Sequence, residues 1–314
     1  MHGIHTATLE VLPSGLLRVI VPTVISWTPG QHVFVRFLTP DWHLLTAHPF
    51  TISSAYQNPD ETGKAPQLIF YIKPRGGVTG RLAALARKQP GISKRILIEG
   101  PYGGVSAQRI AHFDTVLVIG GGSGGGFSLA MIDEVLRQYD LQASTMTSTT
   151  PAQPRLRNLQ VVFSTRDASM ADWFTEEIES RFPRSTALPS DVKHGYETSV
   201  SVHISSNRHS TFSSSTLDSE ETESGKMQPT ETTTTGSFSL NVHRNSRPDI
   251  SSLIARTVAR ANEQASFDGK PRVGILACGP ASMLHDTRNA AAQAQMRVIN
   301  GEIEELYMHS EPFA

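Results

Sequence analysis

The stretch TVLVIGGGSGGGFSLAMIDEVLRQY, Thr115 to Tyr139, restricts the fold more than any other part of the chain. An unbroken apolar run of strand length meets a turn crowded with glycine, and a helix-length segment follows. A strand apolar on both faces must be covered on both faces, which is the condition of a parallel sheet flanked by helices. The unit is therefore the first half of a βαβ crossover, with a glycine turn at the carboxyl end of its strand.

The same pattern recurs downstream. LQVVFS precedes the amphipathic ADWFTEEIESRF, and RVGILACGP precedes ASMLHDTRNAAAQAQ, each a strand, a turn and a helix. Upstream the pattern is different. From Ile4 to about Gln108 the runs TATLEVL, LLRVIVP, HVFVRFL, TISSAY and QLIFYIKP alternate with period two between proline, glycine and polar residues, as in a small antiparallel barrel. One helix interrupts them, TGRLAALARKQ, with Leu82, Leu85 and Ala86 on one face and Pro90 and Gly91 as its stop. The expected fold is a β-barrel domain over residues 1–108 followed by an α/β domain with a parallel sheet over 109–314.

Two tracts do not fit that pattern. Residues from about 183 to 248 are dominated by Ser, Thr, Glu and Asn, and a Thr/Pro/Gln tract spans about 142–154; both read as disordered surface insertions. A phosphorylated regulatory loop is the alternative, because Ser and Thr beside Glu suit kinases.

A net charge of -1 and a pI near 6.9 argue against a nucleic-acid partner. Cys278 is the one cysteine, so no internal disulfide forms. The start MHGIHTATLEVL lacks the basic and apolar regions of a secretory signal, and no segment has the length and apolarity of a transmembrane helix. No residue set is assigned to a metal.

Four stretches can carry chemistry. Gly120, Gly122 and Gly125, with Ser123 and Gly124 between them, let the backbone approach a pyrophosphate at a helix N-terminus; a merely flexible turn is the other reading. Arg166 follows the second strand of the α/β part, where an arginine favours a 2′-phosphate on the adenosine ribose; a solvated charged turn is equally compatible. Cys278, Gly279 and Pro280 end another strand at the ligand-binding edge of such a sheet, where a small thiol admits a planar ring, although a lone cysteine is more often a packing residue. Gly76, Gly77 and Thr79 open the barrel's helix and suit a second phosphate, with Thr79 alternatively an ordinary N-cap.

These motifs together resemble a family. PGQHVFVRF, HPFTISS, KPRGGVTGRL, EGPYGG, VIGGGSGGGF, ACGP and the terminal YMHSEPF occur in the order found in the cytosolic dehydrogenase part of fungal ferric reductases and NADPH oxidases, within the ferredoxin reductase superfamily. The resemblance implies a barrel that binds FAD and an α/β domain that binds NADPH. It implies that His48, Pro49, Phe50 and Thr51 hold the flavin, with Phe50 against the isoalloxazine, Thr51 near its N5 edge and His48 toward the phosphates. Gly76, Gly77 and Thr79 match the family's pyrophosphate turn. Cys278 would lie near the reactive carbon of the nicotinamide, Phe313 would cover the nicotinamide side of the flavin, and Glu311 would orient the site.

The implied reaction passes hydride from NADPH to FAD and then single electrons to a ferric chelate or to the haem of a membrane domain absent from this chain. The family works at the cytoplasmic face of a membrane. The chain departs from the family in ending at Ala314, where fungal relatives often carry tryptophan, and in having no haem-binding helices before Ile4; His2 and His5 are too few for that task. Two other readings stay open. One is the dehydrogenase module of a superoxide-forming oxidase, and the other is a non-catalytic flavin-binding regulatory module.

Overall fold

A computed structural model describes residues 2–38, 46–144, 154–182, 195–205, 231–235, 238–264 and 269–312. The amino-terminal part contains β1 (His2–Val11), β2 (Leu17–Pro22), β3 (Gln31–Phe37), β4 (His48–Thr51), the short α1 (Pro59–Thr62), β5 (Gln67–Ile72), α2 (Gly77–Lys88) and β6 (Ile92–Gly103). Its strands form one antiparallel sheet in the order β4-β3-β6-β1-β2-β5. The two edges meet: Ser53 N donates to Ile69 O at 2.8 Å, and the Ser54 hydroxyl donates to Gln67 O at 2.8 Å. These bonds close the sheet into a barrel around Leu9, Val19, Val33, Val35, Phe37, Leu68, Phe70 and Ile96. The alternation that buries these residues in β2, β3 and β5 is the period-two pattern of the sequence. Helix α2 covers one end of the barrel with Val78, Leu82 and Ala86.

The second part contains α3 (Ala107–Ile110), β7 (Thr115–Gly121), a 3-10 turn at Gly122–Gly124, α4 (Gly125–Ser144), β8 (Asn158–Thr165), α5 (Ala168–Arg181), β9 (Glu197–Ile204), β10 (Glu231–Thr235), β11 (Phe238–Arg244), α6 (Ile250–Glu263), β12 (Arg272–Gly279), α7 (Ala281–Ile299) and β13 (Glu305–Pro312). Seven strands lie in the order β10-β11-β9-β8-β7-β12-β13, parallel except for β10. β7 and β12 are buried along nearly their whole length, as their unbroken apolar runs require. The chain proceeds outward from β7 in one direction, then crosses back to β12 and β13. The crevice between the carboxyl ends of β7 and β12 is therefore the switch point at which such sheets take their ligands.

The expectation of a single insertion over about 183–248 is corrected here. β9 and β11 fall inside that tract and pair with each other in parallel, with β9 also pairing with β8. Thr198, Val200, Val202 and Ile204 of β9 are buried while their neighbours along the strand are not. Residues 142–144 of the shorter tract belong to α4, and the remaining candidates for insertion, residues 145–153, 183–194 and 206–230, lie outside the described residues.

The two parts share a core. Leu16 of the β1–β2 turn belongs to the cluster formed by Val118, Phe127, Phe163, Trp173 and Phe174, and Leu12 and Tyr71 of the barrel pack against it. No helix among the described residues is long and apolar enough to cross a membrane.

Candidate functional site

The nucleotide-side residues meet at one edge of the parallel sheet. Cys278 stands opposite Gly120 on one side and Glu311 on the other, and the turn after β8 brings Arg166 to the same edge. Arg166 is exposed, and Asp167 beside it caps α5 by accepting from Ser169 N at 3.2 Å. Burial pushes the Asp167 carboxyl up, but hydrogen bonds from Ser169 and the nearby Lys73 ammonium outweigh it and hold the group below its usual value. Lys73 comes from the end of β5 and lies 3.4 Å from Asp167, so the barrel touches this turn directly.

The glycine turn is packed on every side. A Cβ at Gly120 would lie 2.3 Å from Ser128 Oγ, one at Gly124 would lie 2.3 Å from the Cys278 carbonyl oxygen, and one at Gly125 would lie 2.9 Å from the Trp173 ring. Gly122 has φ +54°, which glycine adopts readily. The protein itself thus requires glycine at most of the turn, and this compactness brings the 3-10 turn before α4 against Cys278. The thiol is 1 % exposed, and burial followed by the Glu311 carboxylate pushes its pKa up to about 12. It is therefore a neutral, apolar wall of the crevice rather than a nucleophile.

The barrel supplies the other wall. β4 pairs with β3, placing Thr51 opposite His32 and Phe50 opposite Val33. The Phe50 ring is half-buried, 6.2 Å from Phe70 and 6.4 Å from His48; Pro49 is exposed. Beyond Thr51, Ser53 is buried against the start of α4: a Cβ at Gly126 would lie 2.3 Å from Ser53 Oγ. Gly30 makes a matching approach to Met131 and Phe127, where a Cβ would lie 2.5 Å from the Met131 methyl. Sequence reasoning missed both contacts; for Ser53 the signal was present in Gly126, which a fingerprint over Gly120, Gly122 and Gly125 does not use.

At the start of α2, Gly76 is the N-cap and offers no side-chain hydrogen bond, while Gly77 has φ +69°. A Cβ on either glycine would meet nothing within 4 Å. The helix N-terminus is therefore open and uncapped, the state that suits a phosphate group. Thr79 is not the cap. Its hydroxyl accepts from Arg75 N at 3.1 Å and donates to Arg75 O at 3.3 Å, bracing the turn from inside the helix.

β13 ends between the two walls. His309 Nε2 lies 3.0 Å from Glu311 Oε1, and its ring stacks on Phe127 at 6.4 Å and 14°. Glu311 Oε1 is 3.3 Å from the position a Cβ on Gly103 would take, so the carboxylate reaches the barrel's EGPYGG turn. Phe313 lies outside the described residues.

A closed antiparallel barrel sharing a crevice with a parallel sheet, an uncapped phosphate-ready helix on one side and a glycine turn on the other, defines a two-domain flavin and nicotinamide nucleotide reductase. Residues 1–106 match the FAD-binding domain family, and residues 113–292 match the ferric reductase NAD binding domain family. The chain belongs to the ferric reductase family and is an oxidoreductase built from these two domains. It is 33 % identical over 202 residues to a probable cell surface ferric reductase of Aspergillus oryzae, covering 62 % of this chain and 25 % of that protein. It is 24 % identical over 295 residues to a probable ferric reductase transmembrane component of Candida albicans, covering 93 % of this chain and 39 % of that protein. The chain thus spans between a quarter and two fifths of the length of these relatives. A ferredoxin NADP+ reductase from Neisseria gonorrhoeae, solved with FAD and NADP, matches the fold with a TM-score of 0.53 at 12 % identity, covering 99 % of each chain.

Proposed function

We propose that this chain is the dehydrogenase module of a ferric reductase, drawing reducing equivalents from NADPH and passing them singly to ferric iron or to a haem of a membrane partner at the cytoplasmic face. The contact of Ser53 with Gly126 carries the reading, because it sets the end of the flavin strand against the nucleotide turn with no room for another side chain. A bound flavin accepts a hydride from reduced nicotinamide and releases electrons one at a time, which matches a two-electron donor to a one-electron acceptor.

The chain's own residues bind and orient. His48, Pro49, Phe50 and Thr51 line the flavin strand, and the free N–H groups of Gly77 and its neighbours receive the flavin pyrophosphate. Gly120, Gly122, Ser123, Gly124 and Gly125 receive the nicotinamide dinucleotide's pyrophosphate at the start of α4, and Arg166 takes the 2′-phosphate by charge-assisted bonds. Cys278, Gly279 and Pro280 receive the planar nicotinamide ring at the end of β12, and Glu311 stands beside Cys278 at the end of β13. Hydride transfer needs no general acid here, so alignment of the two rings is the main task of the protein.

The test is anaerobic mixing of the FAD-loaded chain with NADPH, followed by a ferric chelate. Bleaching of the flavin on the first addition and recovery of colour on the second are expected. A folded yellow protein that NADPH leaves unbleached would overturn the reading in favour of a binding module.

A further inference from the structure

The barrel touches the second domain through a chain of polar groups that the reaction itself does not use. Tyr71, on β5, is half-buried; its ring lies 4.8 Å from that of Trp173 on α5, and its hydroxyl donates to Glu177 Oε1 at 3.0 Å. The second oxygen of Glu177 accepts from Arg181 Nη1 at 2.8 Å. Arg181 turns its other edge to Asp133 on α4, with Nε to Oδ1 at 2.7 Å and Nη2 to Oδ2 at 3.1 Å. One barrel hydroxyl is thereby joined to α5 and, through α5, to α4.

Helix α4 is the element whose first turn forms the nucleotide edge of the crevice. A Cβ at Gly126, in that first turn, would lie 3.4 Å from Tyr71 Cδ2 as well as 2.3 Å from Ser53 Oγ. The Tyr71 ring therefore touches the start of α4, while its hydroxyl reaches α4 again, two turns on, by way of Glu177, Arg181 and Asp133. Two anchor points fix a helix in direction as well as position. The barrel also meets α4 through Gly30 at Phe127 and Met131, and the polar chain adds a directional tie at Asp133 to these packing contacts.

We propose that Tyr71 is a positioning residue for hydride transfer: its hydrogen bond to Glu177 sets the angle of α4 against the barrel and so the distance between the flavin strand and the Gly124–Cys278 wall. The proposal rests on the functional reading above. Burial, followed by the Glu177 carboxylate, pushes the Tyr71 pKa up to about 12, so the hydroxyl remains a donor throughout the neutral range.

Tyr71→Phe keeps the ring on Trp173 and Gly126 and removes the bond alone. In the FAD-loaded chain it should slow anaerobic bleaching by NADPH about ten- to a hundredfold, the cost of a misplacement near 1 Å, while FAD occupancy, melting temperature and the KM for NADPH stay near those of the parent. Glu177→Gln offers one acceptor oxygen where Tyr71 and Arg181 use two, with its amide NH2 facing one of these donors, and should bleach at a rate between those of the parent and Tyr71→Phe. Glu177→Leu should be as slow as Tyr71→Phe, and the double variant Tyr71→Phe/Glu177→Leu no slower than either. Amide hydrogen exchange gives a readout free of turnover: Tyr71→Phe should raise exchange in residues 124–133 and leave β1 and β12 unchanged. A parent bleaching rate in Tyr71→Phe, or unchanged exchange at the start of α4, would overturn the proposal, and so would a slowing that follows loss of FAD or of melting temperature. If NADPH fails to bleach the parent chain, the functional reading falls, and with it Tyr71's role in hydride transfer; unaltered exchange would remove the latch as well.

Discussion

Gly126→Ala places a methyl group where the two domains touch, and the structure sets its cost. The added carbon would lie 2.3 Å from Ser53 Oγ, 3.0 Å from Ser53 Cβ and 3.4 Å from Tyr71 Cδ2. Turning the Ser53 hydroxyl away removes the first conflict and leaves the second, about half an ångström short of the ~3.5 Å at which carbon atoms rest. Gly126 lies within α4 and has no positive φ, so backbone strain does not enter. Alanine even favours the helix by up to about 1 kcal/mol, which offsets part of the ~1–3 kcal/mol typical of overpacking. Net stability should therefore change little, by no more than a few degrees of melting temperature. The gap between the end of β4 and the glycine turn should instead widen by a few tenths of an ångström to 1 Å, and on the proposed function a displacement of that size costs up to about 10²-fold in rate. Stopped-flow bleaching of the FAD-loaded variant measures this step apart from acceptor reduction. Adding Ser53→Gly should restore most of the rate. A Gly126→Ala protein that bleaches at the parent rate would refute the argument that this contact sets the approach of the two sites.

His48→Ala/Thr51→Ala should lower FAD occupancy without unfolding the barrel, each lost contact removing about 1–3 kcal/mol; full yellow colour in the purified double variant would count against these residues. Arg166→Ala should raise the KM for NADPH and leave that for NADH nearly unchanged, and equal effects on both would make it a plain surface arginine. Cys278, Tyr71 and Tyr196 each have a pKa pushed up to about 12 by burial first, against ordinary values of 9.0 for the thiol and 10.0 for the phenols. The folded state holds these protons more tightly than the unfolded one, so their stabilisation is complete below about pH 9 and is lost as pH rises toward 12; melting temperatures across that window should fall, and less steeply in Cys278→Ala. Replacing residues 206–230 with a short Gly/Ser bridge should leave bleaching intact because loop length adds little entropy cost, whereas removing 190–245 takes out β9 and β11 and should give insoluble protein.

Much of this architecture was legible because its signals are local. The apolar runs of β7 and β12, the glycine turn and the alternation in β2, β3 and β5 each state a periodicity that tertiary packing preserved. β9 was hidden by composition: ETSVSVHI is polar on one face, and its alternation sits beside a long Ser/Thr tract that reads as low complexity. TISSAY, residues 51–56, was placed a few residues too late, since β4 runs His48–Thr51 and the following residues serve barrel closure. Thr79 was legible as a helix-start hydroxyl but not in its partner, because bracing Arg75 depends on the fold of the turn. The Tyr71–Glu177 bond joins residues 106 positions apart, and no spacing rule reaches that far.

The shared core has a consequence for how such a protein can be divided or recombined. Leu12, Leu16 and Tyr71 are encoded with the barrel but are solvated by the side chains of the second domain. A chain cut after residue 108 would leave each half with a raw apolar face where these residues had lain, and both halves would tend to aggregate. A hybrid joining this barrel to another reductase's nucleotide domain would need the receiving surface of α4 and α5 carried across with it. The recombinable unit is accordingly the pair of domains, moved together with its shared core.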